Sequence, residues 1–129
     1  MKNEPKFLLC GTCKNLATLI EDRGIPLVCC GAPMTELVAN TEEASVEKHL
    51  PVVEVDGNEV QAVVGSAIHP MEKSHYISFI YLETSNGGQL RKLKIEDEPK
   101  ATFNVATGDT PIAVYEYCNL HGLWKTPIS

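Results

Sequence analysis

The order of apolar and polar residues from position 52 onward predicts short β-strands. The apolar runs 52–55 and 60–64 flank Asp56-Gly57-Asn58, a combination typical of a β-hairpin. Further strands are expected at 76–83, 90–95, 101–105 and 112–117, with turn residues such as Asn86-Gly87-Gly88 between them. About six short strands at this regular spacing predict an all-β domain built as an antiparallel sandwich.

The first forty residues follow a different pattern. Glycine and proline residues separate short apolar pieces such as Phe7-Leu8-Leu9, which predicts small strands and turns. Asn40 and Thr41 favour the start of a helix and Pro51 prevents its continuation, so we expect a short helix over about 41–47. This segment would separate a small module, residues 1–37, from a domain of residues 38–129.

The small module is too short to be stabilised by a hydrophobic core alone, and a structural metal ion is the usual remedy below about 40 residues. Four of the five cysteines lie in it, at Cys10, Cys13, Cys29 and Cys30. Cys10-x-x-Cys13 lets two thiolates bind one ion from a tight turn, and the second pair completes four sulfurs.

Four thiolates in tetrahedral geometry favour iron or zinc, and the residues alone leave that choice open. A purely structural metal and, less favoured, a disulfide between Cys29 and Cys30 are the alternatives. Adjacent side chains on extended backbone point to opposite faces, so we expect a distorted tetrahedron at this pair.

The remaining cysteine and all four histidines form a second donor set, made of His49, His69, His75, Cys118 and His121. Each lies near the end of a predicted strand, where sandwich domains gather binding residues in loops. A lone histidine is usually structural, but five such donors together predict a metal site. Zinc seldom takes five such ligands. Iron with four imidazoles in one plane and a sulfur on the axis would keep a sixth position open opposite the sulfur. A thiolate opposite that position favours chemistry on small oxygen species.

Charge and composition exclude other classes of function. The net charge of −6 argues against nonspecific nucleic-acid binding, which needs a basic face. No run of about eighteen apolar residues could span a membrane, and the N-terminus lacks the pattern of a signal peptide. We therefore expect a cytoplasmic protein, whose cysteines bind metal or act in redox chemistry.

These motifs together resemble the desulfoferrodoxin family of two-iron superoxide reductases. The resemblance rests on Cys10-x-x-Cys13 with CCGAPM at 29–34, EKHLP at 47–51, HPMEKSHYI at 69–77 and YCNLHGLWK at 117–125. It implies a desulforedoxin-like four-cysteine iron module at residues 1–37. It also implies an immunoglobulin-like β-sandwich at residues 38–129, which carries the second iron.

The resemblance also implies a reaction and its residues. Iron held by the four histidines in a plane, with Cys118 axial, would reduce superoxide to hydrogen peroxide without oxygen evolution. A rubredoxin-type protein would supply the electrons, and the chain would form a homodimer. Lys48 would attract superoxide and help to supply protons, and Glu47 would bind the ferric iron. A superoxide dismutase, an electron carrier without catalysis and a zinc-stabilised binding module are the alternatives.

Overall fold

The computed structural model describes residues 4–42, 49–65 and 69–129. The chain divides into two compact units, Met1–Val38 and Ala39–Ser129. The described residues form antiparallel strands and no helix, so the predicted all-β fold is confirmed. Most of the helix predicted over 41–47 lies outside the described residues. None of the described segments forms a helix with the length and apolar character needed to cross a membrane.

The N-terminal unit consists of very short strands. They are β1 (Phe7–Leu9), β2 (Leu16–Thr18), β3 (Val28–Cys29), β4 (Ala32–Pro33) and β5 (Thr35–Glu36). β1 lies between β2 and β5 in one sheet, and β3 and β4 form a hairpin. Among the described residues of this unit, only Phe7, Leu8 and Cys10 are buried apolar residues. So few buried side chains cannot stabilise a fold alone, which agrees with the need for a metal ion.

The C-terminal unit contains two antiparallel sheets. Its strands are β6 (Pro51–Asp56), β7 (Glu59–Val64), β8 (Ile77–Thr84), β9 (Gly87–Lys92), β10 (Lys100–Asn104), β11 (Pro111–Cys118) and β12 (Gly122–Pro127). One sheet has the order β10-β7-β6 and the other the order β12-β11-β8-β9. Three strands facing four is the division expected of an immunoglobulin-like sandwich.

The strand predictions were wrong at two places. β12 was not predicted, because Gly122 and Pro127 weaken the local strand pattern, although this strand pairs with β11 along its whole length. Gly87-Gly88 were predicted to lie in a turn, whereas both residues belong to β9 and pair with β8. In each case pairing with a neighbouring strand decides the structure, and the local sequence does not.

The core of the C-terminal unit follows the alternation of side chains along the strands. Val60, Ala62 and Val64 of β7 are fully buried, and the residues between them are exposed. They cluster with Ile80 and Leu82 of β8 and with residues of β10 and β11. Cys118, the last residue of β11, also belongs to this cluster, so its sulfur lies at the end of the core.

Candidate metal centres

Cys10 and Cys13 lie in a tight turn after β1. The N–H of Cys10 donates to the Asn15 carbonyl at 2.9 Å, and the N–H of Lys14 donates to the Cys10 carbonyl at 3.0 Å. The N–H of Cys13 also donates to the Cys10 sulfur at 3.4 Å. Lys14 has a φ of 68°, the left-handed conformation that glycine usually provides in such turns.

Cys29 and Cys30 lie in the hairpin between β3 and β4. Cys29 pairs with Ala32, which leaves Cys30 and Gly31 as the two loop residues. Their φ values are 54° and 76°, and two positive φ values in a two-residue loop are typical of a type I′ turn. Cys30 therefore leaves the extended backbone immediately after Cys29, and the turn brings the two adjacent sulfurs to one side.

The four sulfurs fit a single tetrahedral ion. They lie within 4.8 Å of one another, and the Sγ atoms of Cys13 and Cys29 are 3.6 Å apart. Metal–sulfur bonds of about 2.3 Å in a tetrahedron give an edge of about 3.8 Å. The side-chain amide of Asn15 also donates to the Cys29 sulfur at 3.8 Å.

The thiols of this group differ in acidity. The backbone N–H groups of Cys13 and Thr12 lower the pKa of Cys10 to about 6. Hydrogen bonds with the side chains of Cys13 and Cys10 raise the pKa of Cys30 to about 12. Cys10 thus forms a thiolate easily, whereas the thiol of Cys30 resists ionisation. A bound cation is therefore needed for all four sulfurs to be anionic.

The second group forms where the loops of the C-terminal unit meet. His49 precedes β6, and His69 and His75 lie in the segment before β8. Cys118 ends β11, and His121 lies in the turn between β11 and β12. His49, His69 and Cys118 are buried, His75 is half-buried and His121 is exposed. The group therefore extends from the core to the solvent.

The four imidazoles form a closed ring. The ring centroids are 4.9 Å apart for His49 and His69, 4.6 Å for His69 and His75, 5.2 Å for His75 and His121, and 4.7 Å for His121 and His49. Neighbouring rings are inclined by 62° to 78°. The Cys118 sulfur lies 3.7 Å from Nδ1 of His121.

The distances within this group also fit a metal ion. Donor atoms of His49, His75, Cys118 and His121 lie within 4.8 Å of one another, and His69 joins them through its two ring contacts. Nε2 of His49 and Nδ1 of His121 are 3.1 Å apart. Two nitrogens at right angles, each about 2.1 Å from a metal, would be about 3 Å apart.

Two contacts orient these imidazoles. Nδ1 of His69 lies 2.8 Å from the Pro70 carbonyl and must carry the proton there, which leaves the lone pair on Nε2. The indole of Trp124 stacks on His49 at 4.8 Å with an angle of 14°, and its Nε1–H donates to the His121 carbonyl at 3.2 Å. The role of Trp124 was not predicted from the sequence, because its nearness to His49 depends on the fold.

The structure thus brings together every sulfur and imidazole that the sequence analysis predicted as a ligand. Glu47 and Lys48 lie outside the described residues, so their roles stay predictions.

The family profile described as desulfoferrodoxin matches residues 41–127. The chain belongs to the desulfoferrodoxin family. The resemblance found in the sequence is therefore confirmed, and the desulfoferrodoxin of Syntrophotalea carbinolica is 42% identical over 117 residues, 91% of each chain.

Solved structures agree with membership of the desulfoferrodoxin family. The superoxide reductase from Treponema pallidum superposes with a TM-score of 0.81 and 35% identity, covering 98% of this chain and 99% of that chain. The one-iron superoxide reductase from Giardia intestinalis has a TM-score of 0.56 and 31% identity, covering 64% of this chain and 98% of that chain. As in desulfoferrodoxin, this chain has two iron centres, one with four cysteines and one with four histidines and a cysteine.

Proposed function

We propose that this chain reduces superoxide to hydrogen peroxide. The observation that carries the proposal is the closed ring of four imidazoles with the Cys118 sulfur beside it. These donors would hold an iron ion whose one-electron chemistry, with two protons, converts one superoxide to one hydrogen peroxide. The chain is similar to a superoxide reductase along nearly its whole length, which supports the same conclusion.

The proposal assigns ligands to both irons. His49, His69, His75, Cys118 and His121 hold the iron that reacts with superoxide. Cys10, Cys13, Cys29 and Cys30 hold the other iron in a desulforedoxin-like module. Iron can change its charge by one unit when imidazole and thiolate donors bind it, whereas zinc has no redox chemistry.

The difference in exposure within the second group indicates where substrate enters. Cys118 is completely buried, whereas His121 is an exposed residue. A small anion can therefore approach from the side of His121, while the sulfur stays shielded within the core. A shielded thiolate keeps its electron density for the metal, because water is excluded from hydrogen bonding to it.

We also propose roles for Glu47 and Lys48, which directly precede His49 in the sequence. Lys48 would attract the superoxide anion and help to supply protons, and Glu47 would be a ligand of the iron in its ferric form. Lys48→Ile should slow the second-order reaction with superoxide about tenfold at low salt, corresponding to about 1.4 kcal/mol of local attraction, and less at high salt. Stopped-flow or pulse-radiolysis rates measure this effect.

Lys92→Ile is the matched control for Lys48→Ile. Lys92 is an exposed residue of the edge strand β9, and its loss changes the net charge by the same amount. We expect its rate to equal that of the unchanged protein. Equal rates for both variants at low salt would remove Lys48 from the mechanism.

The test of the function itself is the stoichiometry of the reaction with superoxide. Under anaerobic conditions, each ferrous histidine–cysteine centre should consume one superoxide and form one hydrogen peroxide, with no oxygen released. Release of one oxygen for every two superoxide ions would mean dismutation, and an unchanged ferrous centre would mean electron transfer without catalysis. Either result would overturn the proposal.

The supply of electrons and the assembly of the chain are further parts of the proposal. Because each turnover consumes one electron, a donor is required, and we propose a rubredoxin-type protein in the cytoplasm. Reduced rubredoxin should restore the ferrous centre in an anaerobic stopped-flow experiment, and failure to do so would exclude this donor.

We also propose a homodimer, for which light scattering should give twice the chain mass of 14.1 kDa.

A further inference from the structure

His75 and Cys118 lie at the same end of the strand pair formed by β8 and β11. β8 and β11 are antiparallel, and their pairing ends with Ile77 opposite Cys118, after a register shift between Tyr117 and Cys118. His75 lies two residues before β8, and Asn119 directly follows Cys118. Strand pairing therefore stops before it reaches His75, and another interaction must set the distance between Cys118 and the segment that carries His75.

Asn119 provides that interaction. Its Oδ1 accepts a hydrogen bond from the N–H of Tyr76 at 2.8 Å, and its Nδ2 donates to the Ser74 carbonyl at 3.0 Å. Its own backbone N–H donates to the Tyr76 carbonyl at 3.2 Å. Ser74 and Tyr76 are the two neighbours of His75. The residue next to Cys118 thus binds the backbone on both sides of His75.

The interactions of Asn119 require an amide side chain of this length. A single short side chain must accept one hydrogen bond and donate another, which aspartate, alanine and serine cannot do together in this geometry. The backbone of His75 itself exchanges two hydrogen bonds with Glu72, at 2.8 and 3.0 Å. Those contacts shape the loop itself but do not connect it to Cys118.

We propose that Asn119 is a positioning residue of the histidine–cysteine iron centre. Its side chain sets the place of the His75 imidazole relative to Cys118 and His121, and it contacts neither iron nor substrate. The inference rests on the proposed function, because His75 and Cys118 act together only if they bind the same ion. Groups that orient metal ligands typically affect metal affinity by tenfold to a hundredfold when they are removed.

The test uses the complete iron-loaded chain with Asn119→Ala. Iron should leave the histidine–cysteine centre for a chelator about tenfold to a hundredfold faster than in the unchanged protein. The absorption band from the Cys118 thiolate to ferric iron should also shift, because the imidazoles around the iron are less well placed. Release of iron from the four-cysteine centre of the same molecule should keep its rate.

Gln89→Ala is the matched control. The Gln89 side-chain amide donates to the Asn104 carbonyl at 2.8 Å, so this change also removes an amide-to-carbonyl hydrogen bond from the same unit. We expect no change in iron release or in the absorption band. Asn119→Asp keeps the acceptor for Tyr76 but loses the donor to Ser74, so its release rate should be intermediate. It also serves as the test if Asn119→Ala does not fold.

Two results would overturn the role of Asn119. One is iron release and an absorption band that stay unchanged in the Asn119 variants. The other is an equal effect in Gln89→Ala, which would indicate general destabilisation. Failure of the proposed function would appear differently, as an unchanged protein that lacks the thiolate-to-ferric band or does not consume superoxide.

Discussion

At the scale of single residues, two positive φ values shape the four-cysteine centre. Residues other than glycine pay about 1–2 kcal/mol for the left-handed conformation that Lys14 and Cys30 adopt. Cys30 must adopt this conformation and also supply a sulfur to the metal site, so glycine cannot replace this cysteine. At Lys14 the exposed side chain donates to the Gly11 carbonyl at 3.0 Å, and the turn needs only its backbone.

Lys14→Gly should therefore bind metal more tightly than Lys14→Ala. Both variants lose the same charge, but only glycine adopts the positive φ without strain, and the difference of about 1 kcal/mol corresponds to about fivefold in metal affinity. Competition with a chelator at the four-cysteine centre of the complete chain measures the two affinities. Equal affinities would mean that the turn at residue 14 is not strained.

At the scale of elements, β9 depends on a close approach of its backbone to β8. A Cβ atom on Gly88 would lie 2.0 Å from the Tyr81 hydroxyl and 2.8 Å from the Leu82 carbonyl oxygen. The phenol of Tyr81 therefore lies over the glycine, in the space that a side chain would take. This contact explains why residue 88 of β9 is a glycine, although a Gly-Gly pair is typical of a turn.

Gly88→Ala should lower the free energy of unfolding of the C-terminal unit by about 1–3 kcal/mol, the usual cost of overpacking. A denaturant titration followed by circular dichroism measures it. In a Tyr81→Ala background the same change should cost less, because only the contact with the Leu82 carbonyl remains. An equal cost in both backgrounds would show that the Tyr81 side chain is not the obstacle.

At the scale of the whole molecule, the two units are stabilised in different ways. The described part of the N-terminal unit buries three apolar residues, Phe7, Leu8 and Cys10. The C-terminal unit contains the large core cluster between its two sheets. Metal binding should therefore decide whether the first unit folds, while the second unit has a hydrophobic core of its own.

A Cys13→Ser/Cys30→Ser variant of the complete chain tests this difference. Loss of two thiolates should remove the metal and leave Met1–Val38 open to limited proteolysis, with Ala39–Ser129 still resistant. The C-terminal unit is the internal control, because its iron and its absorption band should persist. An N-terminal unit that stays resistant without metal would contradict the prediction.

Residue type and spacing in the sequence were sufficient to predict the two donor sets, the family and most of the strands. Ligand chemistry depends on which residues are present, and the turn at Cys10-x-x-Cys13 and the β6–β7 hairpin form from neighbouring residues. The type I′ turn at Cys30 was not predicted, since adjacent cysteines indicated a distorted site but not the backbone that bends between them.

Only the tertiary structure decided how the distant residues meet. The stacking of Trp124 on His49 and the hydrogen bonds of Asn119 to Ser74 and Tyr76 join residues far apart in the chain. Such contacts depend on strand register, including the shift at Cys118. Register is set by packing of the whole core, and the local pattern of apolar and polar residues does not specify it.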